Sequence, residues 1–146
     1  MKPASIHRAT VTAVALVLAA GTVWAQEGGR PLSANLTGAA EVPGPGDPDG
    51  KGSATLRVNP GQEQVCYELS VSGIEPATMA HIHKGGPTVD GGVVVTLTAP
   101  TSGSSSGCAA AARSLAQDII QNPGGYYVNV HNGPFPTGAV RGQLMK

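Results

Sequence analysis

Residues 53–71 read SATLRVNPGQEQVCYELSV, and this stretch decides the fold class. Apolar and polar side chains alternate on both sides of the Asn-Pro-Gly sequence at residues 59–61. Alternation with a period of two is typical of half-buried strands, whereas Asn, Pro and Gly in succession are typical of turns. The stretch therefore predicts a β-hairpin, with residues 53–58 and 64–71 as its two strands.

The same alternation recurs along the chain and extends the hairpin to an all-β fold. Further strands are predicted at residues 32–37, 77–83, 93–98, 126–131 and 139–144. The chain also holds 21 Gly and 12 Pro, which argues against a helical bundle and for short strands joined by turns. We expect an antiparallel β-sandwich or a flattened barrel.

Two segments between the predicted strands lack this alternation. Residues 101–107 are rich in Ser and Gly and are predicted to form a loop. A short helix is predicted to begin at Ser114, because Gln117 stands three residues later and completes a capping box. The Asn-Pro-Gly-Gly sequence at 122–125 ends this helix, so the sandwich carries one short inserted helix.

The N-terminus has the features of a secretory signal peptide. Lys2 and Arg8 precede an apolar run at residues 11–20, and Val23 and Ala25 stand at positions −3 and −1 of a cleavage site. The run is shorter than the roughly 20 apolar residues that span a bilayer. We therefore predict a signal peptide over residues 1–25 and a domain over residues 26–146. We expect no membrane span after cleavage and a secreted or periplasmic location.

Cys66 and Cys108 are the two cysteines of the chain. An even pair in an oxidising compartment predicts a disulfide bond. A pair of thiolate metal ligands is the alternative, although the chain has no CxxC sequence to support it.

The charge balance excludes one class of function. Nine basic and nine acidic residues cancel, and only 12% of the residues are charged. No basic patch is available for a nucleic acid held through its phosphates. Nothing in the composition identifies a protein partner.

Three histidines lie beyond residue 25, and their spacing gives them a common orientation. His81 and His83 stand two apart on one predicted strand, so their imidazoles project to the same side, opposite Ala80 and Ile82. His131 ends another predicted strand, where it shares a side with Asn129. All three histidines therefore lie opposite the apolar side of their own strands.

Three imidazoles suit Cu(II) or Zn(II), and water could take an open fourth position. Each ring needs an acceptor for its second nitrogen, which Asn129 or a backbone carbonyl could supply. Arg141 either turns toward the histidine face or is an exposed strand residue, and the second interpretation is favoured. The site exists only if the two histidine-bearing strands are neighbours.

Four phrases of the sequence carry a family resemblance, namely LTGAAEVP at 36–43, AHIHKG at 80–85, YYVNVHN at 126–132 and FPTGAVRGQL at 135–144. With these phrases the chain resembles the CHRD domain, the module named after chordin and found in many exported bacterial proteins. The resemblance spans about residues 32–144 and implies an immunoglobulin-like all-β domain. Chordin's role as a growth-factor antagonist belongs to a multidomain protein and is not carried over.

The histidine pattern is also similar to part of the copper site of copper,zinc superoxide dismutase, another β-sandwich. This similarity implies His81, His83 and His131 as copper ligands and Arg141 as a loose counterpart of the arginine that guides the anion. The bridging histidine and the zinc ligands of that enzyme have no counterparts here. A mononuclear three-histidine site remains.

These observations favour an exported CHRD-domain protein that binds a transition metal, copper in preference to zinc. The alternative is a structural or adhesive extracellular module without metal. Dismutase-like redox catalysis ranks third, so we expect a binding protein rather than an enzyme and assign no catalytic residue.

Overall fold

The computed structural model describes residues 28–146, which form eight strands and one α-helix. The all-β prediction with a single short helix is confirmed. In chain order the elements are β1 (Arg30–Thr37), β2 (Lys51–Asn59), β3 (Gln64–Ser72), β4 (Ala77–Lys84), β5 (Val93–Leu97), β6 (Ser104–Ala110), α1 (Arg113–Gln121), β7 (Tyr126–Asn132) and β8 (Val140–Gln143).

All eight strands join in one antiparallel sheet, in the order β5-β4-β7-β8-β1-β2-β3-β6. The sheet curls until its two edge strands approach each other. Ser105 Oγ on β6 donates a hydrogen bond of 2.7 Å to the carbonyl oxygen of Thr98, the residue after Leu97 at the end of β5. The curled sheet thus has an inner face and an outer face, and the two halves of the sheet enclose the core.

The core lies on the inner face, because every second residue of each central strand is apolar. Leu36, Leu56, Val65, Ile82 and Val128 are among its fully buried side chains. Burying a side chain of this kind stabilises the fold by about 1.5–3 kcal/mol. The period-two pattern therefore also decides that the intervening residues, which include the histidines, face outward.

Helix α1 packs on the core and is tied to the sheet by Asp118. Ala116 and Ile119 on the helix are fully buried. Asp118 pairs with Lys84 of β4 at 2.8 Å and accepts a hydrogen bond from the hydroxyl of Tyr126. The pairing lowers the pKa of Asp118 and raises the pKa of Lys84, because each partner stabilises the charged form of the other.

The predicted capping box of α1 is wrong. The helix begins at Arg113, one residue before Ser114, and no side chain caps it at Ala112. The backbone N–H of Arg113 instead donates to Glu63 Oε1 at 3.3 Å, so a residue from the β2–β3 turn satisfies one of the free N–H groups of the first turn.

The loop predicted at residues 101–107 is also wrong over its second half, which forms the start of β6. Ser and Gly have little preference for strands, but β6 gains a full ladder of backbone hydrogen bonds from β3. Cys66 on β3 stands directly opposite Cys108 on β6, and their sulfur atoms lie 2.03 Å apart. The predicted disulfide is confirmed, and it fastens β6 to the sheet.

The signal peptide predicted for residues 1–25 lies outside the described residues. Among residues 28–146, no helix has both the length and the apolar character that crossing a bilayer requires.

Candidate metal centre

The two strands that carry the histidines are hydrogen-bonded neighbours, as a shared site requires. In the antiparallel register of β4 and β7, His81 stands opposite Asn129 and His83 stands opposite Tyr127. His131 lies two residues further along β7 than Asn129, diagonal to His81. All three imidazoles project from the outer face of the sheet, while their neighbours Ala80, Ile82 and Val130 are fully buried in the core.

The three rings converge on one point of this face. His81 Nδ1 and His131 Nε2 are 3.1 Å apart, and the centroids of these two rings are separated by 5.1 Å. The ring of His83 lies 5.5 Å from that of His81 and 6.4 Å from that of His131, measured between centroids. One nitrogen from each ring falls within a set whose members all lie within 4.8 Å of one another.

These separations suit a metal ion bound by three imidazoles. Two nitrogens at about 2.0–2.1 Å from a tetrahedral metal are about 3.4 Å apart. The His81–His131 pair already has nearly this separation, at 3.1 Å. A nitrogen pair at the 4.8 Å limit of the set would need to close by about 1.4 Å to reach this separation.

Two of the histidines are held by backbone carbonyls. His83 Nδ1 lies 2.8 Å from the carbonyl oxygen of Gly91, and His131 Nδ1 lies 3.0 Å from that of Pro136. A carbonyl only accepts, so each Nδ1 carries a proton, and the neutral tautomer that fits these contacts has the lone pair on Nε2. This is the arrangement that metal-binding histidines usually have. Asn129 and backbone carbonyls were the two candidate acceptors for the second nitrogen of each ring. For His83 and His131 the acceptors are backbone carbonyls.

Burial favours the neutral form of two of the three imidazoles, those of His81 and His131. His83 and His131 are only 8% and 7% exposed, whereas His81 is half-buried and forms the mouth of the site. Burial, reinforced by the two neighbouring histidines, lowers the pKa of His81. Burial also lowers the pKa of His131, against the opposing effect of its hydrogen bond to Pro136. A neutral imidazole is the form that binds a metal.

Tyr127 orients His83 by stacking on it. The two rings are 4.8 Å apart between centroids and inclined by 11°. The Tyr127 hydroxyl accepts a hydrogen bond of 3.1 Å from the backbone N–H of Gly91, the residue whose carbonyl also faces His83 Nδ1. Tyr127 and Gly91 thus hold the His83 ring from two directions.

Arg141 is buried, and the expectation of an exposed strand residue is wrong. The side chain is 1% exposed and its Cζ lies 3.4 Å from the centroid of the Tyr127 ring. Its Nη2 donates to the carbonyl oxygen of Gly86 at 2.8 Å and to Gln143 Oε1 at 3.2 Å. Arg141 comes from β8 and His83 from β4, the two strands that flank Tyr127, so Arg141 supports the stacked pair without joining the ring cluster.

Glu41 is the buried residue that sequence reasoning missed. It lies 5% exposed in the β1–β2 connection, and its Oε1 accepts a hydrogen bond of 2.7 Å from Asn129 Nδ2. Burial raises the pKa of Glu41 to about 7, and the nearby Arg141 only partly offsets this. Periodicity assigns no orientation to a loop residue, so no signal in the sequence could have placed Glu41 beside Asn129.

Comparison with known proteins identifies one family. The model of the CHRD domain matches residues 32–144, which is nearly all of the chain that the structure describes. Neither a curated protein nor a solved structure matches the chain.

Proposed function

The chain belongs to the CHRD family, and on that premise we propose that it is an exported protein that binds a transition-metal ion. The ligands are His81, His83 and His131. The observation that carries the proposal is their convergence, with one nitrogen from each ring inside a 4.8 Å set. No step of catalysis is part of this proposal.

The state of the buried His83 ring argues for metal over a purely structural cluster. His83 Nε2 is buried and has no hydrogen-bond partner within residues 28–146. A buried polar nitrogen without a partner costs about 1–3 kcal/mol. A structural role would be served better by an apolar side chain, whereas a metal ion at the cluster would use the free lone pair of Nε2.

Copper is the metal that the donor set favours. Imidazole nitrogen suits both Cu and Zn, and at a given site of this kind Cu²⁺ is bound more tightly than Zn²⁺. Three protein ligands with a half-buried His81 at the mouth leave a fourth position for water or a small molecule. Zinc is the alternative ion at the same ligands.

Export is supported by the disulfide. The Cys66–Cys108 bond joins two adjacent strands, and disulfides persist in secreted and periplasmic proteins while they are rare in the cytosol. We infer that the protein acts in an oxidising compartment, where it meets its metal after translocation.

The test is a titration of the purified protein with Cu²⁺ and with Zn²⁺, followed by calorimetry and thermal melting. The parent is compared with the His81→Ala/His83→Ala variant. A matched control is Thr96→Ala, because Thr96 is exposed and pairs directly with His81 from β5 but offers no nitrogen ligand. Circular dichroism checks that each variant is folded.

We expect one equivalent of copper to bind the parent and the Thr96→Ala control and to raise the melting temperature of both. The double histidine variant is expected to lose this binding while it keeps the far-ultraviolet spectrum of the parent. Absence of binding by the parent, or equal binding by the double variant, would refute the proposal and leave a metal-free extracellular module.

A further inference from the structure

Met79 lies on the same face as the histidine cluster, two residues before His81 on β4. In the register of β4 and β7 it stands directly opposite His131. Directly opposite residues of an antiparallel pair have Cα atoms about 4.5–5.5 Å apart. Met79 is therefore a direct neighbour of one proposed ligand across the sheet and of another along its own strand.

An irregularity in the sheet sets the direction of Met79. The register between β4 and β7 shifts between Ala77 and Met79, so that one extra residue is accommodated there. Ala77 and Ala80 are buried, whereas Thr78 and Met79 are both exposed. Bulges of this kind re-aim side chains next to functional sites. Here the bulge keeps Met79 on the outer face.

Packing does not account for Met79. Its side chain is 46% exposed, although methionine is an apolar residue that usually fills gaps in a core. His131, directly opposite, is 7% exposed, and His81, two residues along β4, forms the open mouth of the cluster. A flexible thioether side chain thus stands directly across the sheet from His131 and two residues along β4 from His81.

We propose that Met79 is a fourth ligand of this site and that its sulfur adapts the site to Cu(I). The inference rests on the proposed function, because it requires metal at the three histidines. Thioether sulfur is a soft ligand that selects Cu(I), whereas Zn²⁺ and Cu²⁺ are satisfied by imidazole and water. Three rotatable bonds allow the sulfur to reach an ion held by His81 and His131.

The experiment compares Met79→Leu with the parent, since leucine keeps the apolar character of the side chain and removes the sulfur. Met145→Leu is the matched control. Met145 is similarly exposed, at 42%, but it pairs with Ser33 of β1, three strands away from β4 in the sheet. Cu(I) affinity is measured without oxygen by competition with a chromophoric Cu(I) chelator, and Cu²⁺ and Zn²⁺ affinities by calorimetry.

Removal of a partner outside the immediate ligand set typically costs 10–100-fold in metal affinity, so loss of a direct ligand should cost at least about tenfold. We expect Met79→Leu to weaken Cu(I) binding by that factor and to change Cu²⁺ and Zn²⁺ binding by less than about threefold. Met145→Leu should match the parent for all three ions. X-ray absorption of the Cu(I)-loaded parent should contain a copper–sulfur contribution that Met79→Leu lacks.

Two results would overturn the inference, and they differ. Metal binding by the parent with unchanged Cu(I) affinity in Met79→Leu would overturn the role of Met79 and leave the three-histidine site intact. If the parent binds none of the three ions, both proposals are overturned.

Discussion

The buried carboxyl of Glu41 should make the stability of the fold depend on pH, and Glu41→Gln should remove that dependence. In the parent, Asn129 Nδ2 donates a hydrogen bond of 2.7 Å to Glu41 Oε1. Glutamine keeps a side-chain oxygen that can accept this hydrogen bond. It has the same length and shape but does not ionise. The substitution therefore isolates the cost of the charge from the cost of losing the contact.

The magnitude follows from the pKa of Glu41, which burial raises from 4.5 to about 7. Between these values the unfolded chain has lost its proton and the folded chain retains it. The unfolded state then binds fewer protons, so the free energy of unfolding falls as pH rises. The contribution is complete below pH 4.5 and is lost by pH values above about 7. The shift corresponds to about 3 kcal/mol at most, and to about 2 kcal/mol after a discount for solvent screening.

The assay is urea unfolding of the metal-free parent and the variant from pH 5 to pH 8, with the difference in free energy taken at each pH. His81 and His131 titrate in the same window with the opposite sign, since their lowered pKa values remove stability as pH falls. Their contribution is common to both proteins and cancels in the difference. Arg141 and Asp90, the charges that act on Glu41, are likewise unchanged.

We expect Glu41→Gln to gain about 2 kcal/mol of stability relative to the parent between pH 5 and pH 8. The prediction concerns how the difference in unfolding free energy changes with pH. A constant difference caused by placing an amide beside Arg141 would not alter that change. A difference that is flat across this range, or that declines with pH, would mean that Glu41 is ionised in the folded protein throughout. The reasoning from burial would then be refuted.

Two further predictions concern the framework. Cys66→Ser/Cys108→Ser removes a cross-link between residues 42 positions apart and should lower the free energy of unfolding in urea by about 4 kcal/mol. Reducing conditions should lower the stability of the parent by the same amount and leave that of the variant unchanged. Gly138→Ala should lower the free energy of unfolding by about 2 kcal/mol or more, because a Cβ would lie 2.3 Å from Glu41 Oε2 and the backbone φ is +151°. Gly133→Ala is the control, since a Cβ there meets no atom within 4 Å, and its free energy of unfolding should stay within about 0.5 kcal/mol of that of the parent.

The alternation of side chains was sufficient to predict the strands of the hairpin and the sides on which the histidines lie. Residues 53–58 and 64–71 fall inside β2 and β3, because a one-residue slip would move Leu56 and Val65 out of the core. The same pattern could not identify β6. Its sequence, SSSGCAA, does not alternate between polar and apolar residues, and the strand forms because β3 offers an edge on which it can pair.

The sheet order was the missing step between the three histidines and a site. Periodicity assigns each side chain to a face, but it does not say which strands are neighbours. The placement of β7 beside β4, and of Arg141 and Asn129 opposite each other on β8 and β7, depends on long-range pairing. For the same reason the burial of Arg141 could not be predicted from its position in a four-residue strand.

The high glycine and proline content, which argued against a helical bundle, also explains how the outer face of β7 becomes buried. Every residue of β7 is buried, although only one face of the strand looks toward the core. The other face is covered by glycine- and proline-rich connections, which supply the carbonyls of Gly91 and Pro136 to His83 and His131. Gly91 passes so close to β4 that a Cβ there would lie 1.8 Å from the carbonyl oxygen of Lys84. Only glycine allows that approach, so the orientation of the His83 ring depends on a residue that contributes no side chain to the site.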